Sequence, residues 1–249
     1  MISIKSTQEI ELMKHAGKIV ALAHKNVKTA IKPGIKTIEL DQIAYNTIVS
    51  NGATPSFKGY GGFPCSICTS INDVLVHGIP DDTILKEGDI ISVDIGANYH
   101  GYHGDSAWTY SVGEVSKEKK KLMEVTKQAL FKGLEVIKPN SHIGDISTAI
   151  QDYIESYGYS IPIDYSGHGV GKNLHEDPYI PNIGKKDTLE LIQEGMCLAI
   201  EPIAIIGKPH IRVLADNFTV VSKDHTDSAH YEHSVLVTRD GYEILTKED

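Results

Sequence analysis

Two aspartates, Asp94 and Asp105, are the first side chains whose setting points to chemistry. Asp94 interrupts Ile90–Ile95, an apolar, β-branched run that suits a buried strand. A carboxylate buried there is costly unless it is paired or bound to a cation. Gly101 and Gly104 mark a bend, and Trp108, Thr109 and Tyr110 favour a second strand. A hairpin folded about Tyr99–Gly101 would bring the two aspartates level on adjacent strands, with Cβ atoms roughly 5 Å apart. Carboxylates that close repel unless positive charge lies between them. No Lys or Arg occurs between Glu87 and Ser116, so local sequence offers no cation. An isolated Asp in a strand belongs at an edge or a solvent face. The other unusual residues of the chain argue instead for one wall of a metal site.

Those residues are His168, Glu201 and Glu232. His168 stands between two glycines in Ser166-Gly-His-Gly-Val-Gly, too lightly packed for an ordinary core histidine. Glu201 ends the apolar stretch that begins at Glu194, and Glu232 interrupts an apolar strand over Ala229–Gly241. With Asp94 and Asp105 they make four carboxylates and one imidazole. Such an oxygen-rich set suits two divalent ions better than one closed structural zinc, which favours Cys and His. By ligand softness it fits Mn²⁺ or Fe²⁺, and Co²⁺ or Zn²⁺ also bind such sets. Competing motifs fail. His175-Glu176 begins like a zinc-protease HExxH, but Pro178 would break the helix that motif needs. Cys65-Ser-Ile-Cys68 is a lone CxxC with no second pair and reads as pocket lining. His15, His24, His210 and His225 read as surface or core histidines, and the run Lys117–Lys121 as a solvated helix face.

The elements that must position these residues follow from pattern. Ser6-Thr-Gln-Glu9 is a capping box, and Ile10, Met13, Gly17, Val20 and His24 continue at helical spacing until Pro33-Gly34. A second helix is expected over Ile38–Ser50, a third over Val115–Ile137 and a fourth over Gly144–Tyr157. Pro55–Pro64 is a loop dense in Gly, Pro and aromatics, a composition that often lines sites. Cys68–Pro80 reads as one strand running to His77 at a turn. The halves repeat faintly. Ile31-Lys-Pro-Gly and Gly52 are answered 106 residues later by Ile137-Lys-Pro-Asn and Gly158. Glu87-Gly88 and Asp94 are answered at 107 by Glu194-Gly195 and Glu201. Each half, about 1–113 and 114–249, thus delivers a carboxylate from an equivalent strand. The expectation is one catalytic domain over 1–249, an α/β (α+β) fold with two pseudo-symmetric halves.

Composition sets the outer bounds. A net charge of −9 argues against a nucleic-acid or anionic-membrane partner. No apolar run approaches the roughly 20 residues of a membrane span. The start of the chain lacks an apolar signal core, and three cysteines fit a reducing cytoplasm.

With these residues aligned, the sequence resembles the type I methionine aminopeptidases over nearly its whole length. The resemblance rests on Thr69-Ser-Ile-Asn-Asp-Val-Leu-Val-His-Gly-Ile-Pro80, Val93-Asp-Ile-Gly with Gly104-Asp105, and Gly167-His-Gly-Val-Gly with His175-Glu. Ile200-Glu-Pro202 and Tyr231-Glu-His233 complete it. It implies a pita-bread fold, antiparallel sheet around a central dimetal site, and removal of the initiator Met with a small residue preferred next. It implies the ligands Asp94, Asp105, His168, Glu201 and Glu232, with Asp105 and Glu232 bridging. His77 and His175 match the family's catalytic histidines, with Glu201 as proton shuttle, and the Met side chain would meet Tyr60, Phe63, Cys68, Leu174 and Phe218. The implied partners are the N-termini of nascent chains, with association to the ribosome left open, and a monomer is expected. Only 26 residues separate His175 from Glu201, so the long type II insertion is missing, and no N-terminal extension is seen, which looks bacterial.

The chain also departs from the family pattern. Phe218 replaces a Trp, Phe57 a pocket Cys, Leu174 a Phe, and Gly96 a Thr or Ser two residues after the first Asp ligand. These changes bear on pocket shape and leave the ligands intact. Three other readings compete. A prolidase or Xaa-Pro aminopeptidase shares the fold but usually carries a further N-terminal domain. A binding module that had lost its chemistry would have lost ligands. A dimetal phosphoesterase fits poorly with the aromatic, sulfur-containing loop.

Overall fold

The computed structural model describes residues 2–247. Ser6 caps helix α1 (Thr7–Ala30), accepting from Glu9 N at 3.4 Å while Ser6 N donates to Glu9 Oε2 at 2.8 Å. Helices α2 (Thr37–Ser50), α3 (Lys117–Glu135) and α4 (Ile143–Ser156) lie within two residues of the expected ends. Val20, Ala23 and Val27 of α1, with Leu40, Ala44 and Ile48 of α2, bury Ile91, Val93 and Ile95 of the Ile90–Tyr99 strand. Leu130 and Leu134 of α3, with Ile146 and Ile150 of α4, bury Leu198, Ile200, Val235 and Val237. Each helix pair thus covers the outer face of one sheet, and the inner faces are left for a site.

All strand pairings among the described residues are antiparallel. In the first sheet, Ile90–Tyr99 pairs with Thr54–Pro55, Ile67–Ile71 and Tyr102–Ser111. The second runs Gly241–Ile244, His233–Thr238, Cys197–Ile200, Ser166–Gly169, Glu176–Pro181. The sheets are stitched along one seam. Asp105 N donates to Ser234 Oγ at 3.0 Å, Ser106 Oγ to Glu232 O at 2.7 Å, and Glu232 N to Ala107 O at 2.7 Å.

The repeat has a backbone counterpart. The isolated bridge Lys36↔Ile84 is answered by His142↔Leu191. Positive φ at Gly34 and Gly88 is answered at Asn140 and Gly195, and the cap by Glu39 is answered by Asp145.

Three expectations need correction. Asp94 pairs with Ala107 and Asp105 with Gly96, so the aspartates are not level. The turn is the two-residue link His100-Gly101, both at positive φ, one residue later than expected. That moves the register by two and leaves both side chains on one face. The Cys68–Pro80 segment is two strands, Ile67–Ile71 and Val74–Val76, turned at Asn72, which has φ 53°. The Ala229–Gly241 segment breaks at Tyr231-Glu232 into Ser228–His230 and His233–Thr238. There Tyr231 N donates to Pro202 O at 3.3 Å and Glu232 N to Ala107 O at 2.7 Å, so the seam replaces the ladder.

Candidate metal centre

The five carboxylate and imidazole candidates line one cavity of about 280 Å³, together with His77, His175, Tyr60, Phe63, Cys68, Leu174 and Phe218. Asp94 and Asp105 come from the first sheet, His168 from the Ser166–Gly169 strand, and Glu201 directly follows Cys197–Ile200. Glu232 stands at the strand break and is 2% exposed. One ligand atom each from Asp105, His168 and Glu232 lies within 4.8 Å of the others. Glu201 Oε1 is 3.7 Å from His168 Nε2.

The glycines flanking His168 have a steric cause. A Cβ on Gly167 would lie 2.4 Å from Ala199 O, and one on Gly169 2.1 Å from Asp177 O. Only glycine lets neighbouring backbone come this close. His168 Nδ1 is 2.8 Å from Gly169 O, a carbonyl that can only accept. Nδ1 therefore carries the proton, and Nε2 keeps the lone pair a metal needs.

The cluster is electrostatically incomplete. Asp94 Oδ1, Asp105 Oδ1 and Glu232 Oε1 are buried with no hydrogen-bond partner among the described residues. Burial, opposed by His230 and reinforced by Glu201, pushes the Asp94 carboxyl up to about 7. Burial, then repulsion from Asp94 and Glu201, pushes Asp105 well above the carboxylate range. Glu232 is raised in the same way, by burial and then by Asp105, Glu201 and Asp94. Unpartnered buried oxygens on mutually repelling carboxylates are costly, and divalent cations would remove both penalties. The donor set fits hard or borderline divalent ions.

Two histidines border this cluster as neutral rings. Burial, then the neighbouring His168, lowers His175 to about 4. His175 Nδ1 lies 2.8 Å from Tyr60 Oη, and its ring packs edge-on against His168 with centroids 4.4 Å apart. His77 is lowered by burial and sits at φ 58°, its ring edge-on to Tyr165. Sequence reasoning missed His230. It is 2% exposed, its Nε2 is 3.4 Å from Glu201 Oε2, and that nitrogen has no hydrogen-bond partner among the described residues. The available signal was its position two residues before Glu232, which puts both on one side of an extended chain.

The rest of the cavity is apolar. Phe57, Phe63, Cys68 and Leu174 form one buried cluster, with Cys65, Ile79 and Phe218 packed on it. Phe63 and Phe218 meet edge-to-face at 5.4 Å. Two departures from the family pattern prove to be neighbours: a Cβ on Gly96 would lie 2.7 Å from Phe57 Cε1. The Phe57 ring therefore fills the space that a side chain at 96 would need. A wider cleft of about 800 Å³ shares His77, His168, His175 and Glu201 with the cavity and opens it to solvent.

Residues 11–239 match the model of metallopeptidase family M24. Methionine aminopeptidase 1 of Bacillus subtilis (strain 168) is 53% identical over 247 residues, 99% of this chain and 100% of that protein. The crystal structure of methionine aminopeptidase from Thermotoga maritima superposes with a TM-score of 0.98 at 45% identity, covering 100% of both chains. A prolidase from Pyrococcus furiosus aligns at a TM-score of 0.82 and 26% identity, over 99% of this chain and 66% of that one. The paired halves, with helices outside and antiparallel sheets inside, form the pita-bread fold these structures share. No described helix is long and apolar enough to cross a membrane. The chain belongs to metallopeptidase family M24 and, within it, to the methionine aminopeptidases.

Proposed function

We propose that this enzyme removes the N-terminal methionine of nascent polypeptides, preferring a small second residue, with two divalent ions held by Asp94, Asp105, His168, Glu201 and Glu232. The observation that carries this reading is one cavity uniting the buried, partnerless carboxylates with an apolar wall of aromatic rings and a thiol. Bound there, the ions would act as Lewis acid and bring the pKa of water from about 15.7 toward 7. Mn²⁺, Fe²⁺, Co²⁺ and Zn²⁺ would all suit this donor set.

The chain's own residues supply the rest. Glu201, at the junction of the carboxylate cluster and the open cleft, takes a proton from the attacking water and passes it to the leaving amine. A Tyr60 hydroxyl donating to His175 Nδ1 leaves the proton on Nε2 of a neutral ring, so His175 acts as a hydrogen-bond donor to the scissile carbonyl. His77 acts likewise on the peptide that follows. The carboxylate-rich floor suits a free amine and limits cleavage to the first residue. Tyr60, Phe63, Cys68, Leu174 and Phe218 hold the thioether, at roughly 0.3–1.5 kcal/mol for each sulfur–aromatic contact. The two halves, divided near residue 113, each contribute carboxylates to the shared floor. A cytoplasmic monomer acting on chains as they leave the ribosome fits this chemistry.

The test is hydrolysis of Met-Ala-Ser, Leu-Ala-Ser, acetyl-Met-Ala-Ser and an Xaa-Pro peptide, after chelation and then with added Mn²⁺, Fe²⁺ or Co²⁺. Metal-dependent cleavage of Met-Ala-Ser alone is expected. Cleavage of Leu-Ala-Ser would overturn the Met specificity, and preference for Xaa-Pro would assign the prolidase reaction. No cleavage with any metal by folded protein would leave a binding module.

A further inference from the structure

On the reading of this cavity as a dimetal aminopeptidase site, we propose that His230 positions Glu201, its Nε2–H donating to Oε2 of that carboxylate. The backbone sets the placement. His230 ends the Ser228–His230 strand and pairs antiparallel with Ile203, two residues beyond Glu201. Thr109 Oγ1 holds its main chain on both sides, accepting from His230 N at 2.9 Å and donating to His230 O at 2.8 Å. A fixed main chain thus delivers the ring to the carboxylate cluster. There it is buried, within electrostatic reach of Asp94 and His77.

The two oxygens of Glu201 face different partners. Oε1 lies 3.7 Å from His168 Nε2, the nitrogen whose lone pair is kept for a metal. Oε2 lies 3.4 Å from His230 Nε2. That nitrogen is buried with no hydrogen-bond partner among the described residues, a costly state for a polar atom. An ionised carboxylate oxygen only accepts, so a hydrogen on Nε2 serves both groups. A shift of a few tenths of an ångström brings the pair to the usual separation of about 2.9 Å. The bond would fix the carboxylate plane, keeping Oε1 turned toward His168 as a ligand requires. Without a donor at 230 the carboxylate is free to rotate. Outer partners of metal ligands are typically worth about 10–100-fold in metal affinity or activity.

Chelated wild type, His230→Gln and His230→Leu are titrated with Mn²⁺, with the free ion followed by electron paramagnetic resonance, and then assayed on Met-Ala-Ser. Gln offers an N–H donor, and Leu fills the volume without one. His230→Leu should bind one of its ions about 10–100-fold more weakly, and at saturating Mn²⁺ lower kcat by a similar factor with KM nearly unchanged. His230→Gln should restore the greater part of both losses. The metal-free proteins should unfold at the wild-type urea concentration, because Nε2 has no partner to lose. A lower midpoint in His230→Leu would make the ring a packing element instead. A Gln variant as weak as the Leu variant would overturn the donor role and leave the ring as a ligand. Equal Mn²⁺ affinity and kcat in all three proteins would overturn this inference and leave the metal centre standing. No Mn²⁺ bound by the wild type would overturn both.

Discussion

Phe57 and Gly96 should be energetically coupled, because the ring occupies the volume that any side chain at 96 requires. A Cβ on Gly96 would lie 2.7 Å from Phe57 Cε1, 3.1 Å from Phe57 Cζ and 2.8 Å from Ser56 Cβ. Ordinary carbon contacts begin near 3.5 Å, so Gly96→Ser forces the ring aside by most of an ångström. Overpacking of this kind costs about 1–3 kcal/mol. Phe57→Cys opens a cavity instead. Phe57 is only 8% exposed, and removing a buried ring costs roughly 3 kcal/mol or more. In the double variant the Ser side chain enters the space the ring has left, so the contacts with the ring are relieved, the one with Ser56 Cβ stays, and part of the cavity is filled. The double variant should therefore be more stable than the sum of the singles by about 1–2 kcal/mol. Urea unfolding of all four proteins, metal-free and at one pH, measures this cycle. KM for Met-Ala-Ser follows the same pairing, since Phe57 lines the substrate cavity. Additivity within about 0.5 kcal/mol, the level seen for independent sites, would refute the idea that one ring explains both departures.

Three further outcomes follow from the structure. Lys5 and Glu176 form an ion pair at 2.8 Å with side chains 3% and 11% exposed, and Glu176 also accepts from Asn173 N at 3.0 Å, bracketing the segment that carries His175. Lys5→Met should cost about 3 kcal/mol in urea unfolding and lower kcat more than it raises KM, whereas unchanged stability and kcat would show the pair to be idle. His175→Ala should lower kcat about 10²–10³-fold with bound metal unchanged by elemental analysis, and loss of metal would make His175 a ligand. His24 has a folded pKa of about 4 against an ordinary 6.5, so the unfolded chain takes up the proton first as pH falls. Its contribution is intact above pH 6.5 and lost toward pH 4; of about 3 kcal/mol in all, about 2 should go between pH 7 and pH 5. His24→Gln should flatten that part of the urea-unfolding profile, and an unaltered slope would contradict a buried neutral His24.

Much of the site was legible because its residues break local rules. Asp94 within Ile90–Ile95 and His168 between glycines are costly or unusual wherever they fall, and both line the cavity. The hairpin register was misjudged because composition marks the bend near Gly101 without fixing that His100 and Gly101 are the two residues of the link. The assignment to one face survived because a shift of two residues preserves strand parity. His230 and the Phe57–Gly96 contact stayed hidden for another reason. Their partners are remote in sequence, and a histidine or phenylalanine in an apolar context violates no local rule. The break at Tyr231-Glu232 was equally hidden, since it depends on hydrogen bonds to Pro202 and Ala107 across the seam.

The carboxylate cluster as a divalent-metal centre is tested most directly by titrating chelated protein with Mn²⁺ and following free and bound ion by electron paramagnetic resonance. Uptake of about two ions per chain, with the magnetic coupling of a close pair and abolished by Glu232→Gln, is the expected result. Full hydrolysis of Met-Ala-Ser by protein that binds no Mn²⁺, or binding unaffected by Glu232→Gln, would contradict it.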